Sequence, residues 1–222
     1  MSYEFVESAV RPAGDKLILE AGCGTGNIAA KMTEGGAKIV VMDTSESALK
    51  ITMEVARNRG VEVVPVQGSV LELPFKEGVF EMSFNIGVVD HFGIEHRRTA
   101  RDEMLRVLTD SGKALIAVND ARSIVHPLAM KHAKKRGKWP FGYKAAIRTW
   151  EDMFGDNVKW RRKEYSRGFI SQFEFMRYFL PDNPFTTKMF FRIFFVISWP
   201  LAFLNRFPGF LRIFEIVKKG EQ

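Results

Sequence analysis

Ten consecutive residues, Leu17-Ile18-Leu19-Glu20-Ala21-Gly22-Cys23-Gly24-Thr25-Gly26, join a short apolar run to a glycine-rich turn, and a helical pattern follows. Glycines at such a turn lack the Cβ that would keep a ligand from the backbone. N–H groups at the start of the next helix then face the ligand. A dinucleotide fingerprint needs a further glycine three residues after the second, and Asn27 stands there. Glu20 would repel phosphates and suit a cation. Asp43 closes the next apolar run about 20 residues beyond the loop, where an acid accepts hydrogen bonds from ribose hydroxyls. Together these residues point to a positively charged nucleoside without phosphates.

The elements that must hold this loop alternate as in an α/β parallel sheet. Lys16–Glu20 reads as a buried strand and Thr25–Glu34 as a helix ended by Gly35-Gly36. Lys38–Met42 is a second strand, and Ser45 caps a helix running to Asn58. Val61–Val66 is a third strand, placed at a sheet edge because Pro65 cannot donate to a ladder. Phe80–Ile86 is a fourth. The helix after it sets Ala100, Met104, Val107 and Leu108 on one face, with Arg97, Arg98 and Arg101 elsewhere. A turn over Thr109-Asp110-Ser111-Gly112 leads to a fifth strand, Lys113–Val118. Two more strands are expected at Trp160–Ile170 and Phe210–Val217, separated by Phe-rich sequence.

The first half resembles the class I S-adenosylmethionine-dependent methyltransferases, in particular the small-molecule group that includes the ubiquinone and menaquinone methyltransferases. Leu19 to Gly26 is similar to their first motif, and Val40-Val41-Met42-Asp43-Thr44-Ser45 to the ribose-binding segment. Gln67-Gly68-Ser69-Val70-Leu71-Glu72-Leu73-Pro74-Phe75 looks like their adenine loop. Phe80 to His91 looks like their fourth strand and its exit, and Glu103 to Leu108, with Gly112 beyond, like the helix and turn before strand five. The resemblance spans roughly Lys16 to Asn119. It implies a Rossmann-like seven-stranded sheet in the order 3-2-1-4-5-7-6 with strand 7 antiparallel. It also implies S-adenosyl-L-methionine as cofactor, held by Glu20, Gly22, Cys23, Gly24, Gly26, Asp43, Thr44, Ser69, Val70 and Asn85. Where the family usually carries an acid after the glycine of the adenine loop, this chain has Ser69, a weaker acceptor. About fifteen residues precede the first strand, so closure over an acceptor falls to the second half.

Composition divides the chain near Asp120 to His126. Met1 to Ala121 holds 13 Lys and Arg against 18 Asp and Glu, whereas the remainder holds 20 against 8. Six aromatic residues lie in the first part and 22 in the second. The expected organisation is one domain over 1–222: a cofactor-binding half, 1–121, and an acceptor-side cap with the last strands, 122–222. Met1 to Asp15 lacks the charge-then-apolar pattern of a secretory signal, and the single cysteine, Cys23, forms no intramolecular disulfide. Both favour the cytoplasm. No His, Cys or acid spacing suggests a metal, and His96, His126 and His132 read as surface residues.

Asp90 and His91 follow strand four at the carboxyl end of the sheet, where open α/β folds bind ligands. They read either as a base and orienting pair for the acceptor or as a helix start with Asp90 as cap. Met189–Leu204 is aromatic and apolar, flanked by Lys188, Arg206 and Arg212 and interrupted by Arg192. Its uninterrupted run Ile193–Leu204 is shorter than the about 20 residues a bilayer crossing needs. It reads either as a helix packed on the sheet or as a cap for an apolar, lipid-like acceptor resting against a membrane. The rival reading is an RNA- or nucleic-acid-associated methyltransferase or binder using the basic half, with Lys131–Lys138 as the contact. A basic run of this kind is more often a solvated face, which weighs against nucleic acid.

Overall fold

The structure, a computed structural model, describes residues 16–138, 147–155, 161–167, 169–207, 209 and 211–217. Strand β1 (Leu17–Ala21) is followed by α1 (Asn27–Glu34), β2 (Lys38–Asp43), α2 (Glu46–Asn58), β3 (Val64–Gln67) and β4 (Phe80–Ile86). A 3-10 turn, Val89–His91, leads to α3 (Ile94–Arg106) and β5 (Leu108–Asn119). Then come α4 (Val125–Lys135), α5 (Trp150–Phe154), β6 (Arg161–Arg167), a 3-10 segment Ser171–Tyr178, α6 (Pro184–Ser198), a 3-10 segment Trp199–Arg206 and β7 (Leu211–Val217).

These strands form one seven-stranded sheet in the order β3-β2-β1-β4-β5-β7-β6, with β7 antiparallel to both neighbours. Both faces are covered, so apolar residues of the central strands alternate between two cores. Ile18, Ile39, Val41, Leu115 and Ile213 face α1 and α2. Leu19, Met42, Ile116 and Phe214 face α3 and α5. Pro65 stands opposite Val41 on the edge strand, where its missing N–H costs no ladder bond.

Four local expectations shift. Helix α1 begins at Asn27 rather than Thr25, because Gly24 and Gly26 hold left-handed backbone. Strand β3 begins at Val64, since the Val61 N–H closes the end of α2 on the Ala56 carbonyl at 3.1 Å. Thr109–Gly112 is no separate turn. It lies within β5, and the ladder absorbs it as a register shift: Phe80 pairs Leu108, but Met82 already pairs Lys113. His126 is buried with its ring 4.6 Å from that of Phe175, and His132 stacks on Phe179 at 5.0 Å, so neither is a bare surface histidine.

The arginines of α3 have a use the helical pattern does not reveal. Arg97 and Arg101 are buried. Arg97 Nη1 donates to the Asp152 carbonyl at 2.8 Å, and Arg98 Nε donates to Phe154 O at 2.6 Å. The Arg101 guanidinium lies 5.0 Å from the Phe154 ring centre. These cations satisfy carbonyls at the end of short α5, which a helix of five residues cannot satisfy internally. Helix α5 in turn places Trp150 in the core, 4.5 Å from Phe154 and 5.9 Å from Phe214 between ring centres. Trp150→Ala should cost about 3–5 kcal/mol of stability, measured by denaturant unfolding. A loss below about 1 kcal/mol would show that α5 is not integral to the core.

Candidate active site

The glycine loop hangs from the end of β2. Gly22 N–H and Cys23 N–H both donate to the Met42 carbonyl, at 2.7 and 3.0 Å. One residue on, Asp43 Oδ2 accepts from Gly24 N–H at 3.0 Å and Oδ1 from Ser45 N–H at 2.9 Å. The Asp43 backbone carbonyl accepts the Gly68 N–H at 3.1 Å. Residues 42 and 43 therefore tie together the first loop, the start of α2 and the loop after β3.

Glycine is required at two of these positions by contact as well as by dihedral. Gly22 has φ +84°, and a Cβ there would come within 2.5 Å of Val88 Cγ2. Gly26 has φ +64°, and a Cβ would meet Thr52 Cγ2 at 2.2 Å. At Gly24 a Cβ would meet nothing within 4 Å, because this part of the turn faces open space.

That space belongs to a cavity of about 490 Å³. Gly22, Gly24, Asp43 and Thr44 form one side, and Gly68, Ser69, Val70 and Leu71 another. Ile86, Gly87, Val88, His91 and Phe92 complete it from the exit of β4. Of the residues expected at the cofactor site, Gly22, Gly24, Asp43, Thr44, Ser69 and Val70 converge here, with His91 beside them. Ser69 Oγ accepts the Leu71 N–H at 3.2 Å, which shapes the loop and leaves the hydroxyl a further lone pair. Val70 N–H is taken by no acceptor among the described residues. Asp43 keeps lone-pair capacity beyond its two backbone bonds, since a carboxylate offers about four acceptor sites.

Other expected residues stand outside the lining. Gly26 is buried at the start of α1. The Cys23 thiol turns to Thr52 Oγ1 at 3.5 Å, and burial pushes its pKa up to about 11, so it is an inert structural thiol. Glu20 is buried beneath the loop and accepts from the Ala29 backbone in the first turn of α1. Asn85 is buried toward α3, its amide donating to Met104 Sδ at 3.0 Å. Asp90 is buried in the 3-10 turn and accepts from Asn119 Nδ2 at 3.1 Å. It does not cap α3, whose N-cap is Gly93.

Sequence reasoning missed the brace behind the 68–71 loop. Glu103 Oε2 accepts the Leu73 N–H at 2.7 Å, while Arg106 donates to the carbonyls of Leu73 and Phe75 at 2.9 and 2.8 Å. The two side chains pair at 2.7 Å, and Arg106 holds the Glu103 carboxyl below its usual range. Their spacing of three on a helix was the available signal. Also missed were Gly87 and Val88, which follow β4 directly.

Residues 18–112 match the protein family described as methyltransferase domain. A probable tRNA methyltransferase 9B of Mus musculus is 35% identical over 103 residues, covering 46% of this chain and 21% of the relative. A ubiquinone/menaquinone biosynthesis C-methyltransferase of Escherichia fergusonii is 31% identical over 118 residues, covering 50% of this chain and 45% of the relative. The chain thus spans about a fifth of the first relative and less than half of the second. The solved structure of the YcgJ protein from Bacillus subtilis shares the fold, with a TM-score of 0.63 over 99% of both chains at 17% identity. Residues 18–112 thus carry a methyltransferase domain, set within a seven-stranded sheet of order β3-β2-β1-β4-β5-β7-β6. S-adenosylmethionine is the methyl donor that this domain and fold imply.

Burial without a countercharge, with Asp43 nearby, raises the Glu20 pKa from 4.5 to about 8. An unfolded chain releases this proton near pH 4.5, whereas the folded protein holds it to about pH 8. The contribution of Glu20 to stability is therefore greatest below the lower value and falls as pH rises through the window. Urea unfolding across that window should show a decline that Glu20→Gln flattens. An identical slope in the variant would assign the decline to other groups.

Proposed function

We propose that this chain transfers a methyl group from S-adenosylmethionine to a small, apolar acceptor. The observation that carries the proposal is the convergence on one cavity of the open face at Gly24, the Asp43 carboxylate and the Val70 N–H, which no described residue accepts. These groups fit the cofactor: Asp43 for the ribose hydroxyls, Ser69 and Val70 for the adenine, and the glycine backbone for the amino-acid end. A phosphate-bearing dinucleotide would find the Gly22, Cys23 and Gly24 N–H groups already donating to Met42 O and Asp43 Oδ2.

Bound there, the cofactor supplies an activated methyl group on a sulfonium. The protein's part is mainly alignment of the acceptor at near-attack distance. His91, on the cavity wall, is the residue we assign to remove a proton from a hydroxyl or phenol acceptor. Asp90, buried in the same turn and held by Asn119, fixes that turn at the ends of β4 and β5. Residues 122–222 supply the acceptor-side cap together with the last strands, and the exposed aromatics among them support an apolar acceptor. A cytoplasmic setting agrees with the single, buried, free cysteine.

A second reading is an RNA acceptor, favoured by the identity to the tRNA methyltransferase 9B relative and by the exposed Lys131, Lys134 and Lys135 of α4. Arg136 and Lys138 of the same run are paired with Asp182, which reduces the charge it offers. Incubation with labelled donor, followed by separate counting of lipid, small-molecule and RNA fractions, distinguishes the two. Label confined to RNA would replace the first reading.

Calorimetry should show S-adenosylmethionine or its demethylated product binding, with no measurable NAD binding. Asp43→Asn, which keeps one acceptor oxygen, should weaken cofactor binding by about 1.5–3 kcal/mol. Preferential NAD binding, or unchanged affinity in the variant, would remove the assignment. Restoring an acid with Ser69→Asp should leave cofactor affinity equal or higher, checked by the same titration. A large loss would mean that this loop meets the cofactor differently.

A further inference from the structure

Among the described residues, no side chain of α6 belongs to either core that covers the sheet. The element α6 chiefly meets is its own continuation, Trp199–Arg206. Its inner side is made by half-buried Phe190 and Phe194, whose rings stack at 6.1 Å, with Phe194 5.9 Å from Phe173 of the preceding 3-10 segment. The other side is left in solvent. Phe185, Val196 and Trp199 are 73%, 71% and 70% exposed, with Met189 and Ile193 also exposed between them. These positions recur at spacings of three and four, so they form one stripe along the helix. A stripe of large apolar side chains on an outer surface marks an interaction site.

The charges on the helix identify what would cover it. Lys188 and Arg192 are exposed within the same stripe, and no Asp or Glu occurs anywhere from 183 to 214. A two-fold interface with a second copy would bring this patch against itself, leaving the cations facing cations with no carboxylate to meet. An anionic bilayer surface offers what both parts need: acyl chains for the stripe and headgroup phosphates for the cations. Trp199, at the end of the helix, is the residue type that settles at headgroup level. Further cations lie at the entrance. Arg136 and Lys138 clamp Asp182, immediately before the cap Asn183, which brings the lysine-rich end of α4 to the start of α6. Among the described residues, no helix is long and apolar enough to cross a membrane, so contact would be with one surface.

We propose that α6 and its continuation are a docking surface for an anionic lipid bilayer. The proposal goes beyond the methyl-transfer reading and does not depend on it, because vesicle binding is measured without turnover. Full-length protein should co-sediment with phosphatidylglycerol–phosphatidylcholine vesicles at low salt, much less at high salt, and weakly with phosphatidylcholine alone. Brominated lipid should quench tryptophan emission in wild type but not in Trp199→Phe. Val196→Asp should abolish sedimentation while leaving the melting temperature and cofactor affinity unchanged. Should that variant fail to fold, the pair Lys188→Glu and Arg192→Glu carries the test, with partitioning weakened at least about thirtyfold. Absence of binding to anionic vesicles at low salt would overturn the proposal, as would binding indifferent to these variants. A dimer that Val196→Asp dissociates, with no vesicle binding, would overturn it by assigning the stripe to a second copy.

Discussion

The last two residues of β2 carry the constraint on which the site depends. The Met42 carbonyl takes two N–H groups from the glycine loop, the Asp43 carboxylate a third, and the Asp43 carbonyl the Gly68 N–H. Two chain segments distant in sequence, residues 22–24 and the loop at Gly68, are thereby fixed to one strand end. That strand is paired on both sides, with β1 and with β3. A carboxylate is effective here because it accepts several donors at once and each bond is charge-assisted. The same group that organises the loop thus keeps acceptor capacity beside the cavity.

The steric fit of the loop follows from this anchoring. Once Gly22 and Gly26 are pulled against Val88 and Thr52, there is no volume for a side chain at either position. Gly24 projects the other way, which is why the turn is close-packed behind and open in front. Behind the second loop the brace is ionic: Glu103 and Arg106 from α3 hold residues 73 to 75 by their backbone. Both walls of the cavity are therefore secured by polar contacts to main chain, and the cavity-facing side chains are left for recognition.

The two halves of the molecule use charge differently. On α3 arginines are absorbed into structure, as Arg97 and Arg98 show by closing the end of α5. In the second half, Arg212 is buried between Asp120 and Glu164, at 3.4 and 3.3 Å, joining β7 to its two flanks. The cations of α6 have no such acid on their own helix and remain outside. Much of the excess positive charge of the second half is thus surface charge, whereas that of α3 is packing.

The sequence by itself determined the sheet and the class of ligand. Alternating apolar runs bury both faces of a strand, Pro65 suits an edge, and a glycine turn with an acid about 20 residues on is the pattern expected of a nucleoside site. These are local properties, so they could be read locally. Tertiary structure alone decided which polar residues face the cavity. Glu20, Asn85 and Asp90 have the right chemistry and near-correct positions, yet each is turned toward a helix or a neighbouring strand by a contact with Ala29, Met104 or Asn119, respectively. It also decided the fate of the aromatic stretch after residue 184. Periodicity makes that stretch a helix with an apolar stripe, but whether the stripe is buried depends on whether another element arrives to cover it. Here the described elements cover the Phe190 and Phe194 side alone.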